Sequence, residues 1–336
     1  MIVYITEQGA YITIAGERIV IRKNGSIVGT FLSKDLDQIV IMGNISITTQ
    51  AMKHLLKNKI DTVFTTYSGK YLGRLVAELG KNIVLRRLQF ETLTDENIKL
   101  SLARSIIESK VKNCIQTLRK FNYYHKSGEV SKILNQLTAS LKENDKIDNI
   151  SSLLGFEGRT ANLYFQAFDH LLKGPIFFEK RTRRPPQNEF NAMLSFGYTI
   201  LLNLVRTSVN TVGMDPYYGA YHAEEYGRPS LVLDLMEEFR PVAVDFPVIS
   251  SVNKNIMQKS DFVWNTDGDP DKLPVQLTVF GRKKFISLLE KRFNQKFWHD
   301  TKMRNMKLRE IIRYQCYLFS KSLVDKVDYK GFRVSL

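Results

Sequence analysis

Cysteine is almost missing from this chain: 336 residues hold two, Cys114 and Cys316, neither with a CxxC partner. That scarcity argues against a disulfide framework and against a cysteine zinc site, and both thiols read as small buried apolar side chains. There is no glycine-rich phosphate loop, no internal repeat and no low-complexity tract. No apolar run is read as long enough to span a bilayer, and no basic amphipathic segment shows a lipid-facing aromatic edge. The opening MIVYITEQ lacks the charged and then apolar regions of a secretory signal. The expectation is a cytoplasmic protein without a membrane partner. Negative charge is the other shortage. Asp and Glu number 34 against 49 Lys and Arg, a formal +15, which favours a polyanion, nucleic acid first, over a small metabolite.

What is there suits a globular protein of two domains, with 43% hydrophobic and 25% charged residues. Residues 2 to about 43 alternate as strands do, in IVYIT, YITIA, RIVIR, SIVGTF and QIVIMG, with Asn24-Gly25 as a strong hairpin signal. A helix-like AMKHLLKNKI, the strand DTVFTT and a turn at Tyr67 to Lys70 follow, closing near Leu85 to Arg87. The period then changes. From a cap at Thr94, apolar residues recur at helical spacing through Leu118, and further helices follow. We expect an α+β protein: a small N-terminal β domain at 1–88 and a larger all-α C-terminal domain at 89–336. Residues 1–88 carry 12 basic and 6 acidic side chains, so the basic excess belongs to both halves.

The most informative stretch is His222 to Pro241, HAEEYGRPSLVLDLMEEFRP. Gly227, Arg228 and Pro229 read as a turn, Ser230 as an N-cap, and Leu231 to Phe239 as a short buried helix that Arg240-Pro241 ends. Asp234 and Glu237 lie three apart and so share one helix face beside Leu233 and Met236. Carboxylates near a core are costly unless a cation meets them, and His222 is a natural co-ligand, which makes the stretch half of a divalent metal site. A surface helix with ordinary acids is the plainer alternative, and the spacing leaves it open. Upstream, Asn149 caps a segment on which Glu157 shares a face with Ala161, Tyr164 and Phe168. The alternative there is a kink at Gly155 and Gly158 that lets Glu157 reach solvent. His170 is expected to pack, and His54 and His125 to face solvent. Arg181, Arg183 and Arg184, ahead of Pro185-Pro186, read as a loop that contacts phosphates. The helix after it, NAMLSFGYTILLNLVRTSV, is apolar nearly all round and belongs at the centre of the α domain.

Taken together these segments resemble the CRISPR-associated integrase of the spacer-acquisition step, the first-numbered of the CRISPR-associated proteins. The resemblance rests on Gly155-Phe156-Glu157-Gly158 with Ala161 and Tyr164, then Arg183-Arg184-Pro185-Pro186 with Asn191 to Tyr198. It continues through His222 and Gly227-Arg228-Pro229-Ser230 to the run from Asp234 to Pro241, in the family's order and spacing. It implies a metal site of Glu157, His222 and Glu237 for Mg²⁺ or Mn²⁺, with Asp234 as a nearby acid able to contribute. It further implies attack of a DNA 3′-hydroxyl on a phosphodiester of the repeat array, which joins a short spacer without a side-chain nucleophile. With water in place of the 3′-hydroxyl, the same site is an endonuclease. Double-stranded DNA, a homodimer formed through the β domains, and the small second-numbered CRISPR-associated protein are the implied partners. Arg240 is a candidate phosphate contact. The chain departs from the family at Gln187-Asn188, where Asp is frequent after the Pro pair, and some relatives carry Asp in place of Glu237. A metal-dependent, structure-specific DNase without joining activity is the alternative. An inactive DNA-binding scaffold fits less well, because it has no need of three metal-type ligands on apolar backgrounds.

Overall fold

The computed structural model describes residues 1–76, 82–182, 185–265 and 273–335. Its contacts divide the chain into two compact units, Met1–Lys81 and Asn82–Leu336. The first unit opens with β1 (Ile2–Ile5), β2 (Tyr11–Ala15), β3 (Arg18–Lys23), β4 (Ser26–Leu32), β5 (Gln38–Met42) and β6 (Ser46–Ile47). After α1 (Thr49–Lys57) come β7 (Asp61–Thr65) and β8 (Tyr71–Leu75), the last of which the sequence did not suggest. Two four-stranded sheets result, in the orders β1-β5-β7-β8 and β4-β3-β2-β6. Lys23 pairs with Ser26 across a two-residue turn, and Asn24 and Gly25 both take positive φ, at 48° and 78°, as a primed hairpin turn requires. β5 is buried along its whole length because it lies between β1 and β7. Ile12, Ile19, Ile39, Ile41 and Leu55 fill this unit's core. His54 is not solvated: its Nε2 lies 2.6 Å from Ser33 Oγ.

The second unit begins with α2 (Ile83–Thr92), a helix that spans the boundary expected at residue 88. α3 (Glu96–His125) is capped by Asp95, not Thr94; its side chain accepts from the amides of Asn97 and Ile98. α4 (Gly128–Asn144) leads to α5 (Ile150–Asp169), which Asn149 caps as expected. α5 runs unbroken past Gly155 and Gly158, so no kink releases Glu157. His170, just beyond α5, is exposed where packing was expected.

α6 (Glu189–Val212) is the central helix, and by length and composition it could cross a membrane, contrary to the sequence reading. Yet 72% of its apolar window is buried inside the fold, as a core helix should be. α7 (Ser230–Glu237) starts at Ser230, whose hydroxyl donates to Ala223 O instead of capping. Pro241 does not end the helical run. It opens a π-helical turn, Pro241–Asp245, that flows into α8 (Phe246–Asn253); proline is tolerated where a first turn leaves its N–H unpaired.

The remaining elements add four short strands to this mainly helical unit. β9 (Phe262–Trp264) pairs with β10 (Val275–Leu277), and β11 (Lys296–His299) with β12 (Arg304–Lys307), as two small antiparallel sheets around α9 (Val279–Asn294). α10 (Leu308–Asp325) packs on α6 and closes the helical unit. Both cysteines are buried and unpaired.

Candidate active site

Asp234, on α7, is fully buried, and a carboxylate so placed needs donors. It finds them in the loop that precedes the helix. Oδ2 accepts the amides of Ala220 at 2.6 Å and Tyr221 at 3.0 Å, and Oδ1 accepts the amide of His222 at 2.9 Å. Oδ1 also meets His222 Nδ1 at 2.7 Å. A carboxylate only accepts, so Nδ1 carries the proton and a neutral ring keeps its lone pair on Nε2. That nitrogen points the other way, 4.0 Å from Glu237 Oε1. Gly219 allows this close approach, since a β-carbon there would stand 2.8 Å from the amide of Leu231 and closer still to Asp234. Asp234 is therefore occupied in holding the loop and the imidazole.

Glu157 from α5 and Glu237 from α7 come together on α3. Lys110 Nζ donates to Glu157 Oε1 and, at 2.5 Å, to Glu237 Oε2. Glu237 Oε1 accepts Arg240 Nε at 2.8 Å. Burial opposes the charge on Glu237, but Arg240, Lys110 and His222 outweigh it and pull its pKa down to about 2. Burial also opposes the ammonium of Lys110, yet Glu237 and Glu157 hold its pKa above the ordinary lysine value. Among the described residues, no three His, Cys, Asp or Glu side chains are arranged to hold a metal ion as they stand. The donor chemistry nevertheless fits a hard divalent ion, with two carboxylates and an imidazole oriented by a third carboxylate, that of Asp234. An ammonium lies where the two carboxylates meet, so the site already favours a cation.

Among the groups around this core, the sequence did not single out Asp245 or Tyr221. Arg240 stacks over Tyr198, 4.6 Å from the ring centre, and Arg181 lies over the same ring at 5.5 Å. Asp245 accepts the hydroxyls of Tyr198 at 2.6 Å and Tyr164 at 3.1 Å. The Tyr221 hydroxyl is buried and finds no partner among the described residues; burial and then the charges of Glu157, Glu237 and Asp234 push its pKa up. Arg181 also donates to Asn191 Oδ1 at 2.8 Å and Ser195 Oγ at 3.2 Å, so it ties its loop to α6. Arg183 and Arg184 lie outside the described residues. Lys110 had one legible sign: with Ile107 and Cys114 it shares the apolar face of α3.

Comparison with known proteins places the chain. The family model described as CRISPR associated protein Cas1 matches residues 3–291. The chain belongs to the Cas1 family. A Thermus thermophilus relative named as a CRISPR-associated endonuclease Cas1 is 32% identical over 99% of this chain and 97% of its own length. A Geobacter sulfurreducens exonuclease Cas4/endonuclease Cas1 fusion is 31% identical over 98% of the chain, which spans only 59% of the fusion. Among solved structures, a Cas6-RT-Cas1–Cas2 complex is similar at 25% identity with a TM-score of 0.84, over all of this chain and 36% of that one. The β-then-helical order is thus that of a Cas1 protein, and both relatives are named as endonucleases.

Proposed function

We propose that this Cas1 protein joins short duplex DNA to a CRISPR repeat array, with Mg²⁺ or Mn²⁺ held by Glu157, Glu237 and Nε2 of His222. The observation that carries the proposal is the meeting of these three side chains, from α5, α7 and the intervening loop, in one half-buried place that already attracts a cation. When bound, such an ion polarises the phosphodiester and neutralises charge that develops during in-line displacement. The protein's own share is orientation. Asp234 fixes the tautomer and direction of His222, and Arg240, braced on Tyr198, fixes Glu237. None of these residues is a nucleophile, which suits attack by a DNA 3′-hydroxyl. Cas2 is the expected protein partner, in line with the name of the similar complex, and the β domain is the expected site of homodimer contact. Arg181, Arg183, Arg184 and the wider basic excess would serve the duplex.

The test uses a labelled duplex with supercoiled plasmid and Mn²⁺, the duplex ending in either a 3′-hydroxyl or a dideoxy terminus. Label should join the plasmid only from the free 3′-hydroxyl and should be lost in Glu157→Ala and His222→Ala. Nicking that ignores the terminus would support a nuclease that cuts without joining. Activity that survives both substitutions would place the site elsewhere.

A further inference from the structure

Among the described residues, Lys110 is the one group in contact with both candidate ligand carboxylates, and it sits between them as an ion would. Without a cation there, two carboxylates would face each other in a place where Glu237 is 6% and Glu157 19% exposed. Such a pair repels strongly when poorly solvated. An ion that takes Glu157 and Glu237 must therefore break both contacts of Lys110. Lys110 also lines a small crevice with Val111, Cys114, Leu137, Thr160 and Ala161, whose water-sized space of about 10 Å³ has room for about one water. Its remaining exposure, 12%, leads outward.

From this arrangement we infer that Lys110 is a resident cation that competes with the metal, and that DNA relieves the competition by offering phosphate to the displaced ammonium. The inference rests on the metal-site reading above and deepens it. Metal and DNA then bind cooperatively: each makes the other's site better, and by linkage the factor is the same in both directions. In the absence of DNA, metal binding carries the penalty of an unpaired lysine. With a phosphate at hand, Lys110 exchanges one anionic partner for another. The chain thereby keeps its site closed and poorly metallated until a duplex is in place.

Binding, not activity, tests this. Mn²⁺ affinity is measured from the free-ion signal in electron paramagnetic resonance, with and without an unreactive duplex ending in a dideoxy terminus. Wild type should bind Mn²⁺ at least about tenfold more tightly with the duplex present, and should bind the duplex more tightly by the same factor when Mn²⁺ is added. Lys110→Met, checked for fold by circular dichroism, should bind Mn²⁺ about tenfold more tightly than wild type without DNA and should lose most of the cooperativity. Equal or weaker DNA-free binding in folded Lys110→Met would make Lys110 a structural anchor and overturn the inference. So would a wild type without cooperativity, a result that needs no variant. If instead Glu157→Gln and Glu237→Gln leave Mn²⁺ binding unchanged, the metal-site reading itself fails.

Discussion

On one side of α7, Glu237 takes Lys110 Nζ at 2.5 Å and Arg240 Nε at 2.8 Å; on the other, Glu238 takes the Phe332 amide at 2.7 Å and the Tyr329 hydroxyl at 2.9 Å. The two acids are adjacent in sequence and both buried, yet their surroundings act in opposite senses. Side-chain cations hold Glu237 down at about pKa 2. Burial drives Glu238 up to about 8, with its hydrogen bonds from Tyr329, Phe332 and Gln315 pulling against that rise. Flexible side-chain cations can be traded for another cation without disturbing the backbone. A main-chain amide and a buried hydroxyl cannot be traded unless the C-terminal segment lifts away. The site face of α7 is built for exchange and the tail face for permanence.

The largest effect should come from setting the two acids against each other. On the proposed metal-site reading, Glu237→Gln should lower joining by more than about a hundredfold, since it would weaken the hold on an ion that supplies several kcal/mol of charge stabilisation. Glu238→Ala should instead cost about 3 kcal/mol of stability, because the Tyr329 hydroxyl and the Phe332 amide lose their buried acceptor and Gln315 loses one of its three. Its folded fraction should still join DNA within a few-fold of wild type. Plasmid-joining assays beside thermal melts would show the split, and a folded Glu238→Ala that cannot join would erase it.

A subtler probe is Asp245, buried under Tyr198 and Tyr164. Burial raises its pKa from 3.8 to about 6, although both tyrosine hydrogen bonds oppose the rise. In this case the folded state keeps its proton to higher pH than the unfolded chain. Its contribution to stability is full below about pH 4 and is lost as pH climbs to about 6. Two pKa units correspond to about 3 kcal/mol. Asp245→Asn should remove that decline, and urea melts across this range should show wild type falling relative to the variant. Parallel curves would mean that Asp245 is ionised in the fold throughout.

Much of this was legible in the sequence, for reasons that particular residues make plain. Alternation is visible in five- to seven-residue strands such as β2 and β4, and Asn24-Gly25 dictates its own turn. β9 to β12 have only three or four residues each, too few to display a period. α8 was hidden by Pro241, which reads as a stop but serves as a first-turn residue. Acids on apolar helix faces pointed to Glu157 and Glu237, because burial without a partner would be costly. Spacing alone could not say that Asp234 turns to the loop at Ala220 to His222 while Glu237, three residues on, turns to Lys110. Lys110 itself was one of 49 basic residues, and its partners lie 47 and 127 positions away. The bonds from Glu238 to the C-terminal segment span 91 and 94 positions, beyond any local pattern.

The smallest effect, and the one that tests whether the two faces of α7 are independent, comes from Gly331. A β-carbon there would stand 2.5 Å from Glu238 Oε2 and 2.6 Å from Ser109 Oγ. Neither neighbour can give easily: Glu238 is held by Tyr329 and Phe332, and Ser109 is fully buried on α3. Gly331→Ala must push the C-terminal segment outward and lengthen the Phe332 amide contact. Overpacking of this kind costs about 1–2 kcal/mol, or a few degrees of melting temperature in a chain of this size. If the tail face is only a fastening, joining and Mn²⁺ binding should stay at wild-type levels while the melt shifts. If joining or Mn²⁺ affinity falls in step with the shift, then the tail sets the position of α7, and Glu237 reaches Lys110 only because Glu238 is fastened behind it.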